Sequence, residues 1–246
     1  MVTIDINCDL GEGFPEDARL MPFISSANIA CGAHAGDNYL MQSTVEMALL
    51  HRVGIGAHPG YEDRKNFGRT EQTLSATALY DLITSQVYAL KRITEDSGGS
   101  LQHVKPHGAL YNQSARSPEI AAIIAAAVKE VDSRLYLYGL SGSCSITAAR
   151  ELGLPTREEV FADRRYDDAG QLLSRSFPEA LIKDQDVACR QVMQMITENS
   201  VTSLSGKVIP IVAETICIHG DAEGAAELAN HLYYYLTDHA IEFLKK

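Results

Sequence analysis

The stretch Ala27-Asn28-Ile29-Ala30-Cys31-Gly32-Ala33-His34-Ala35-Gly36-Asp37 runs from a short apolar segment straight into a histidine and a glycine-bearing turn. The chain repeats this move three times. His58 closes Val53-Gly54-Ile55-Gly56-Ala57, His107 follows Val104-Lys105-Pro106, and His219 follows Ile216-Cys217-Ile218, each with a glycine close behind. The acidic cluster Asn7-Cys8-Asp9-Leu10-Gly11-Glu12-Gly13 ends the run Ile4-Asp5-Ile6 in the same way. Parallel α/β folds place their chemistry on polar residues at the carboxyl ends of successive strands. A single histidine in such a place is most often a packing residue, but four in equivalent places plus an acidic cluster predict an enzyme.

Amphipathic helical runs alternate with these strands. Leu40, Val45, Ala48 and Leu49 recur at helical spacing between Tyr39 and His51. Ser75 is placed to cap a helix carrying Leu79, Ile83, Val87, Leu90 and Ile93, which Gly98-Gly99 ends. Ser117-Pro118-Glu119 combines a cap, a first-turn proline and an acid at the positive end of the helix dipole. Leu135 to Tyr138 reads as a strand, Ser145 to Leu152 as a helix, and Asp184 or Asp186 as the start of another helix. Val208 to Val212 and Thr215 to Ile218 read as strands, and a last helix is expected from Asp221 toward Lys246. About seven strands alternating with helices predict an α/β fold with a parallel sheet, closed or nearly closed into a TIM-like (β/α)7 barrel. No linker or internal repeat breaks residues 1–246, so a single domain is expected. An open, doubly wound sheet is the alternative, since strand order is not written in one sequence. The 14-residue connection from Pro59 to Gln72 is long for such a fold and reads as a lid or a substrate contact.

The composition narrows the function. A chain of 246 residues with 46% hydrophobic content can fill one large core. A formal net charge of -11 argues against nucleic acid and anionic membranes as partners. No apolar run approaches the roughly 20 residues that span a bilayer, and the first residues resemble no signal peptide. Five cysteines without a Cys-x-x-Cys pair fit a reducing, cytoplasmic setting. The chain has no phosphate loop, no Gly-x-Gly-x-x-Gly and no Gly-x-Ser-x-Gly, which weakens nicotinamide and serine-hydrolase chemistry.

The candidate residues permit several roles. Asp9 and Glu12 could ligate a metal, act as a base or bind an amine, or Asp9 could simply cap a turn. His34 and His58, with Asp9 or Asp37, offer nitrogen and oxygen ligands from neighbouring strands, so a divalent metal stays open with Asp9, His34 and His58 as candidates. Lys105 and His107, two apart in an extended segment, share a face, where a lysine suits a carboxylate or a developing oxyanion. Arg64, Arg69 and Arg164 could grip a substrate carboxylate bidentately or form surface ion pairs with residues such as Asp163.

Taken together, these blocks resemble the LamB/YcsF family. The resemblance rests on Asn7 to Phe14, Ser26 to Gly32 with His34 to Asp37, Ile55 to Pro59, Lys105 to Tyr111, Val160 to Arg164, and His219 to Asp221. It implies a barrel related to the glycoside hydrolase and deacetylase group. It implies the A-subunit role in opening 5-oxoproline to glutamate, with ATP and Mg2+ as cofactor and subunits B and C as partners; a homo-oligomer is left open. Catalysis would fall to Asp9, His34, His58, Lys105 and His107. Substrate binding would fall to Glu12, Asn28, Asp37, Arg64, Arg69, Asp163, Arg164 and His219. Two other readings remain: a metal-dependent amide or acetyl-sugar deacetylase acting alone, and a non-catalytic subunit that binds a carboxylate.

Overall fold

The alternation of Asp5, Asn7 and Asp9 with Ile4, Ile6, Cys8 and Leu10 already gives the first strand a polar and an apolar face, and the fold uses both. In the computed structural model, which describes residues 2–221 and 224–244, that strand is β1, Val2–Leu10. Six further parallel strands complete a ring: β2 (Ser26–Ala30), β3 (Gly54–His58), β4 (Leu101–Val104), β5 (Tyr136–Leu140), β6 (Thr156–Phe161) and, after two intervening strands in the chain, β9 (Thr215–Ile218). β9 pairs with β6 on one side and with β1 on the other, Asp5 opposite Thr215 and Cys8 opposite Ile218. The sheet is therefore a closed seven-stranded barrel, which removes the open-sheet alternative and leaves no free edge in the ring.

Helices α2 (Asn38–His51), α3 (Ala76–Asp96), α5 (Pro118–Val131), α6 (Cys144–Glu151), α7 (Gln185–Glu198) and α8 (Ala225–Asp238) surround the ring, with the short α1 (Asp17–Leu20) and α4 (Gly108–Arg116) at strand-to-helix connections. Ser75, Ser117 and Asp184 cap α3, α5 and α7 through their side chains, each accepting a backbone N–H three residues on. Outward-facing Ile6, Leu10, Ile29, Ala57, Val104, Leu137, Val160 and Ile216 are buried under this helical layer. Burying a larger aliphatic of this kind contributes about 1.5–3 kcal/mol.

The C-terminal end departs from a simple strand–helix alternation in two places. Val208 to Val212 does hold a strand, β8 (Val208–Pro210), but it pairs antiparallel with β7 (Ser200–Thr202) in a hairpin outside the barrel. Proline denies it a ladder donor, which suits an outlying ribbon better than a buried strand. The last helix stops at Asp238, and β10 (Ile241–Phe243) follows, adding to the outer part of β1 beside Val2 to Ile4. Lys246, the expected limit of that helix, lies outside the described residues. Among the described residues no helix is long and apolar enough to cross a membrane.

The interior of the barrel is polar. Ser26 and Thr215 donate to the two oxygens of Asp5, at 2.6 Å each, and the Tyr138 hydroxyl adds a third bond. His103 stacks on Tyr138 with ring centroids 4.1 Å apart and donates to Asn28 Oδ1 at 2.7 Å. Room for that imidazole comes from β3, where a Cβ on Gly56 would stand 2.0 Å from His103 Nε2. This stack of hydrogen-bonded side chains carries the floor of the site above it.

Candidate active site

All the strand-end motifs face one mouth of the barrel, around a cavity of about 450 Å³. On its floor lies Lys105, just past β4 and 2% exposed. Its ammonium donates to Asp9 Oδ1 at 2.9 Å, Asn7 Oδ1 at 3.2 Å and Cys217 Sγ at 3.1 Å, and it pairs with Glu159 Oε1 at 2.8 Å. Burial alone would lower the Lys105 pKa, but Asp9, then Cys217 and Glu159, hold it well above the usual lysine value. Asp9 answers from the other side. Burial pushes its carboxyl up, yet His58 and Lys105 hold it well below the usual carboxylate range. Asp9 Oδ1 also accepts from Asn28 Nδ2 at 2.8 Å, while Oδ2 lies 3.3 Å from His58 Nε2. The floor is thus a charged pair with one carboxylate oxygen left toward the cavity.

Beside it stands a histidine cluster. His58 Nδ1 donates to the Lys105 carbonyl at 2.7 Å, and His107 Nε2 donates to the Phe67 carbonyl at 2.9 Å. The remaining nitrogens, His58 Nε2 and His107 Nδ1, are 2.9 Å apart. His34 stacks flat on His107, centroids 3.7 Å apart, and its Nε2 lies 3.2 Å from Glu12 Oε1. Burial, then the neighbouring imidazoles, lowers the pKa of His34 and brings His107 down to about 3. Burial, then the charges of Asp9 and Asp221, raises Glu12 well above the usual value. The Glu12–His34 contact is therefore a neutral hydrogen bond rather than an ion pair. Glu12, His34, His58 and His107 each have one potential ligand atom within 4.8 Å of the others, a group that could hold a metal ion. This group contains Glu12 and His107 in place of Asp9.

Across the cavity, His219 donates to both oxygens of Asp163 at 2.9 Å and lies against Phe161, centroids 5.3 Å apart. Arg69, Arg164 and Arg175 line the rim, and Asp221 ties Arg69 to Arg175. Arg164 is 6% exposed, its Nη2 bonded to the Leu173 carbonyl and its Nε without a hydrogen-bond partner among the described residues.

The motifs are not all equal. Asp9, Glu12, His58, Lys105, His107, His219, Arg69 and Arg164 line the cavity. His34 lies behind Glu12, and Asn28 lies beneath Asp9, already committed to Asn7, Asp9 and His103. Asp163 backs His219. Two expected substrate contacts do not belong to the cavity. Asp37 is exposed and caps α2 by accepting from Leu40 N, the ordinary task of an aspartate before a helix. Arg64 reaches sideways to the carbonyls of Gly32 and Gly36 and braces the turn that carries His34. The Pro59 to Gln72 connection supplies Phe67 and Arg69 to the wall. Its Tyr61 is buried, and Gly68, at a positive φ of 63°, passes so close to His34 that a Cβ there would stand 2.8 Å from the His34 Cβ.

Glu159 and Arg175 are site residues outside the sequence motifs, and Asn7 lies within one but has no role assigned there. Glu159 carries a signal, since it shares a strand face with Phe161 on an otherwise apolar strand end. Asn7 carries one too, two residues before Asp9.

Comparison with known proteins places the chain in one family and agrees with the fold. The LamB/YcsF family model matches residues 4–245. A Bacillus cereus protein named as the A subunit of 5-oxoprolinase is 48% identical over 239 residues, 95% of this chain and 94% of its own length. One of the same name from Bacillus thuringiensis subsp. konkukian is 47% identical over the same shares. The crystal structure of a lactam utilization protein from Thermus thermophilus superposes with a TM-score of 0.93 at 37% identity, over all of both chains. A structure of T48 deacetylase with substrate shares the fold alone, with a TM-score of 0.52 at 13% identity over 99% of this chain and 87% of that one.

Proposed function

The chain belongs to the LamB/YcsF family, and from that premise we propose that it is a component of a 5-oxoprolinase that opens 5-oxo-L-proline to L-glutamate with ATP. The observation that carries this reading is the buried Asp9–Lys105 pair, with Asp9 Oδ2 turned toward His58 and the cavity. The names of the relatives support it.

A five-membered lactam is an unactivated amide whose opening is unfavourable, so coupling to ATP supplies both the driving force and the electrophile. Transfer of the terminal phosphoryl group to the lactam oxygen forms one P–O bond and releases ADP. One water then adds at the ring carbon, the C–N bond breaks as the nitrogen is protonated, and a second water releases phosphate, leaving glutamate. Asp9 takes the proton of the attacking water, since Lys105 and Asn28 hold its carboxylate in place and ionised. Lys105 faces the oxygen that gathers negative charge, as a buried cation stabilises such charge best where water is excluded. Arg164 takes the substrate carboxylate, which matches its buried, unpartnered Nε. The chain has no phosphate loop, so ATP with Mg2+ enters through assembly with subunits B and C.

Mixing the purified chain with those subunits tests the reading. Glutamate formation that requires ATP, and that the isolated chain does not show, is expected. Hydrolysis of an amide or acetyl-sugar by the chain alone, with a metal and no ATP, would favour a deacetylase instead. Binding of 5-oxoproline with no turnover in any mixture would favour a carboxylate-binding subunit.

A further inference from the structure

We infer that His219, aligned by Asp163, is the acid that protonates the departing ring nitrogen, and so decides whether each ATP consumed yields glutamate. The inference rests on the proposed reaction, in which Asp9 takes the proton of the attacking water and the nitrogen still lacks a donor.

Placement carries the argument. The register of β1 and β9 sets Asp5 opposite Thr215 and Asn7 opposite Cys217. Continued by one more step of two residues, it brings Asp9 level with His219 at adjoining strand ends. The turn after His219 is pressed onto Asp9: a Cβ on Gly220 would stand 2.5 Å from the Asp9 carbonyl oxygen and 3.3 Å from Cys8 Sγ. Asp9 and His219 line the same cavity. A base for the water and an acid for the nitrogen must reach the two ends of one C–N bond, and neighbouring strands provide them.

The bonds of the ring are a second, independent observation. His219 donates through Nδ1 to both oxygens of Asp163, at 2.9 Å each, and rests on the Phe161 ring. With Nδ1 committed, Nε2 is the nitrogen that meets a ligand. A buried carboxylate on the far nitrogen orients an imidazole and stabilises its protonated form. Burial pushes the Asp163 carboxyl up, but His219, then Arg164 and Arg175, hold it below the usual carboxylate value. The other histidines of the site are placed differently. His58 and His107 engage each other and a backbone carbonyl each, and His34 lies behind Glu12.

Once water has added, the ring carbon carries the phosphoryl oxygen, a hydroxyl and the nitrogen. Phosphate is a far better leaving group than an amine anion, so the C–N bond breaks first only when the nitrogen is protonated as it departs. The C–N electron pair leaves with nitrogen, which takes the Nε2 proton. The hydroxyl becomes the carbonyl of an acyl phosphate as its proton passes to water, and His219, now neutral, takes a proton back from water. Without that donor the carbon–oxygen bond to the phosphoryl group breaks instead. Phosphate departs, 5-oxoproline re-forms with a carbonyl oxygen drawn from water, and the net reaction is ATP hydrolysis alone.

The chain assembled with subunits B and C, in water labelled with heavy oxygen, tests this. ADP, glutamate and the label in recovered 5-oxoproline are measured together. Wild type should form glutamate and ADP in step and leave 5-oxoproline unlabelled. His219→Gln should lower glutamate formation by about 100- to 10,000-fold, the usual cost of losing a general acid, while ADP keeps forming and label enters 5-oxoproline. Asp163→Asn should shift the ratio of glutamate to ADP in the same direction, since Nδ1 then faces a neutral amide. Glutamate and ADP that fall together in His219→Gln, with no label in 5-oxoproline, would overturn the inference and leave His219 a binding residue. No glutamate from the wild-type mixture would instead defeat the reaction on which the inference rests.

Discussion

Lys105 Nζ lies 2.9 Å from Asp9 Oδ1 and 2.8 Å from Glu159 Oε1, one cation set between two carboxylates in a barrel interior. Neither carboxylate is redundant. Glu159 shares Oε1 with Asn7 and holds the lysine from below, while Asp9 alone extends toward the cavity. In the reconstituted enzyme, Asp9→Asn should therefore lower glutamate formation by about 100- to 10,000-fold, the usual cost of losing a general base. The far-ultraviolet circular dichroism spectrum should stay unchanged. Near-normal turnover in a folded Asp9→Asn enzyme would remove Asp9 from the reaction.

The same pair makes Lys105→Met a stability test. The substitution leaves Asp9 and Glu159 buried without their cation, and breaking a buried pair from one side costs about 3–5 kcal/mol. Urea unfolding of the isolated chain checks this. A loss under about 1 kcal/mol, the range of an exposed ion pair, would mean that water reaches the floor freely.

Arg164→Ala should raise KM for 5-oxoproline about 10- to 100-fold, since hydrogen bonds to charged groups contribute roughly 1.5–3 kcal/mol. The same variant should leave the weak binding of an analogue lacking the carboxylate unchanged. Equal losses for both ligands, measured by calorimetry, would show that Arg164 supports the wall rather than the carboxylate.

In the isolated chain, stability should fall as the pH drops below about 6.5, the ordinary histidine value. His34 and His107 stay neutral when folded, so the unfolded chain takes up their protons first. That contribution is whole above the unfolded pKa and is lost as pH falls toward the folded value, about 3 for His107. Glu12 runs the other way. Its folded pKa is raised, so it gains its proton earlier in the folded chain and offsets one histidine until about pH 4.5. The loss is thus shallower above pH 4.5, where Glu12 offsets part of it, and steeper below. Unfolding curves across that range check it. Constant stability from pH 7 to 5 would show that the cluster is already protonated.

Much of this layout was legible in the chain. Histidines at strand ends, the Asp5-Asn7-Asp9 alternation and the helix caps at Ser75, Ser117 and Asp184 are local patterns, and local patterns survive in sequence. What escaped depends on neighbours across the sheet. His103 belongs to no motif, because nothing near it in sequence shows that Gly56 on the neighbouring strand makes room for its ring. Glu159 could be placed on an inward face but not beside Lys105 without the strand order. Asp37 and Arg64 misled for the opposite reason: their local tasks, a helix cap and a turn brace, look like binding residues when only the motif is in view. The run from Val208 reads as a strand like those of the barrel, and only its antiparallel pairing sets it apart; Ile241–Phe243 is absorbed into the expected last helix, because its partner β1 is far away in sequence.

Closure of the ring by β9 against β1 also sets an order of events at the ribosome. Asp9 and Glu12 emerge well before Cys217, His219 and Asp221, which are the last of the site residues to be made. Until Thr215 to Ile218 leave the exit tunnel, β1 and β6 are two bare edges, each open to pairing with another nascent chain. A chain without β9 has neither the closed ring nor the His219 side of the cavity, so the site is the last part of the fold to be completed.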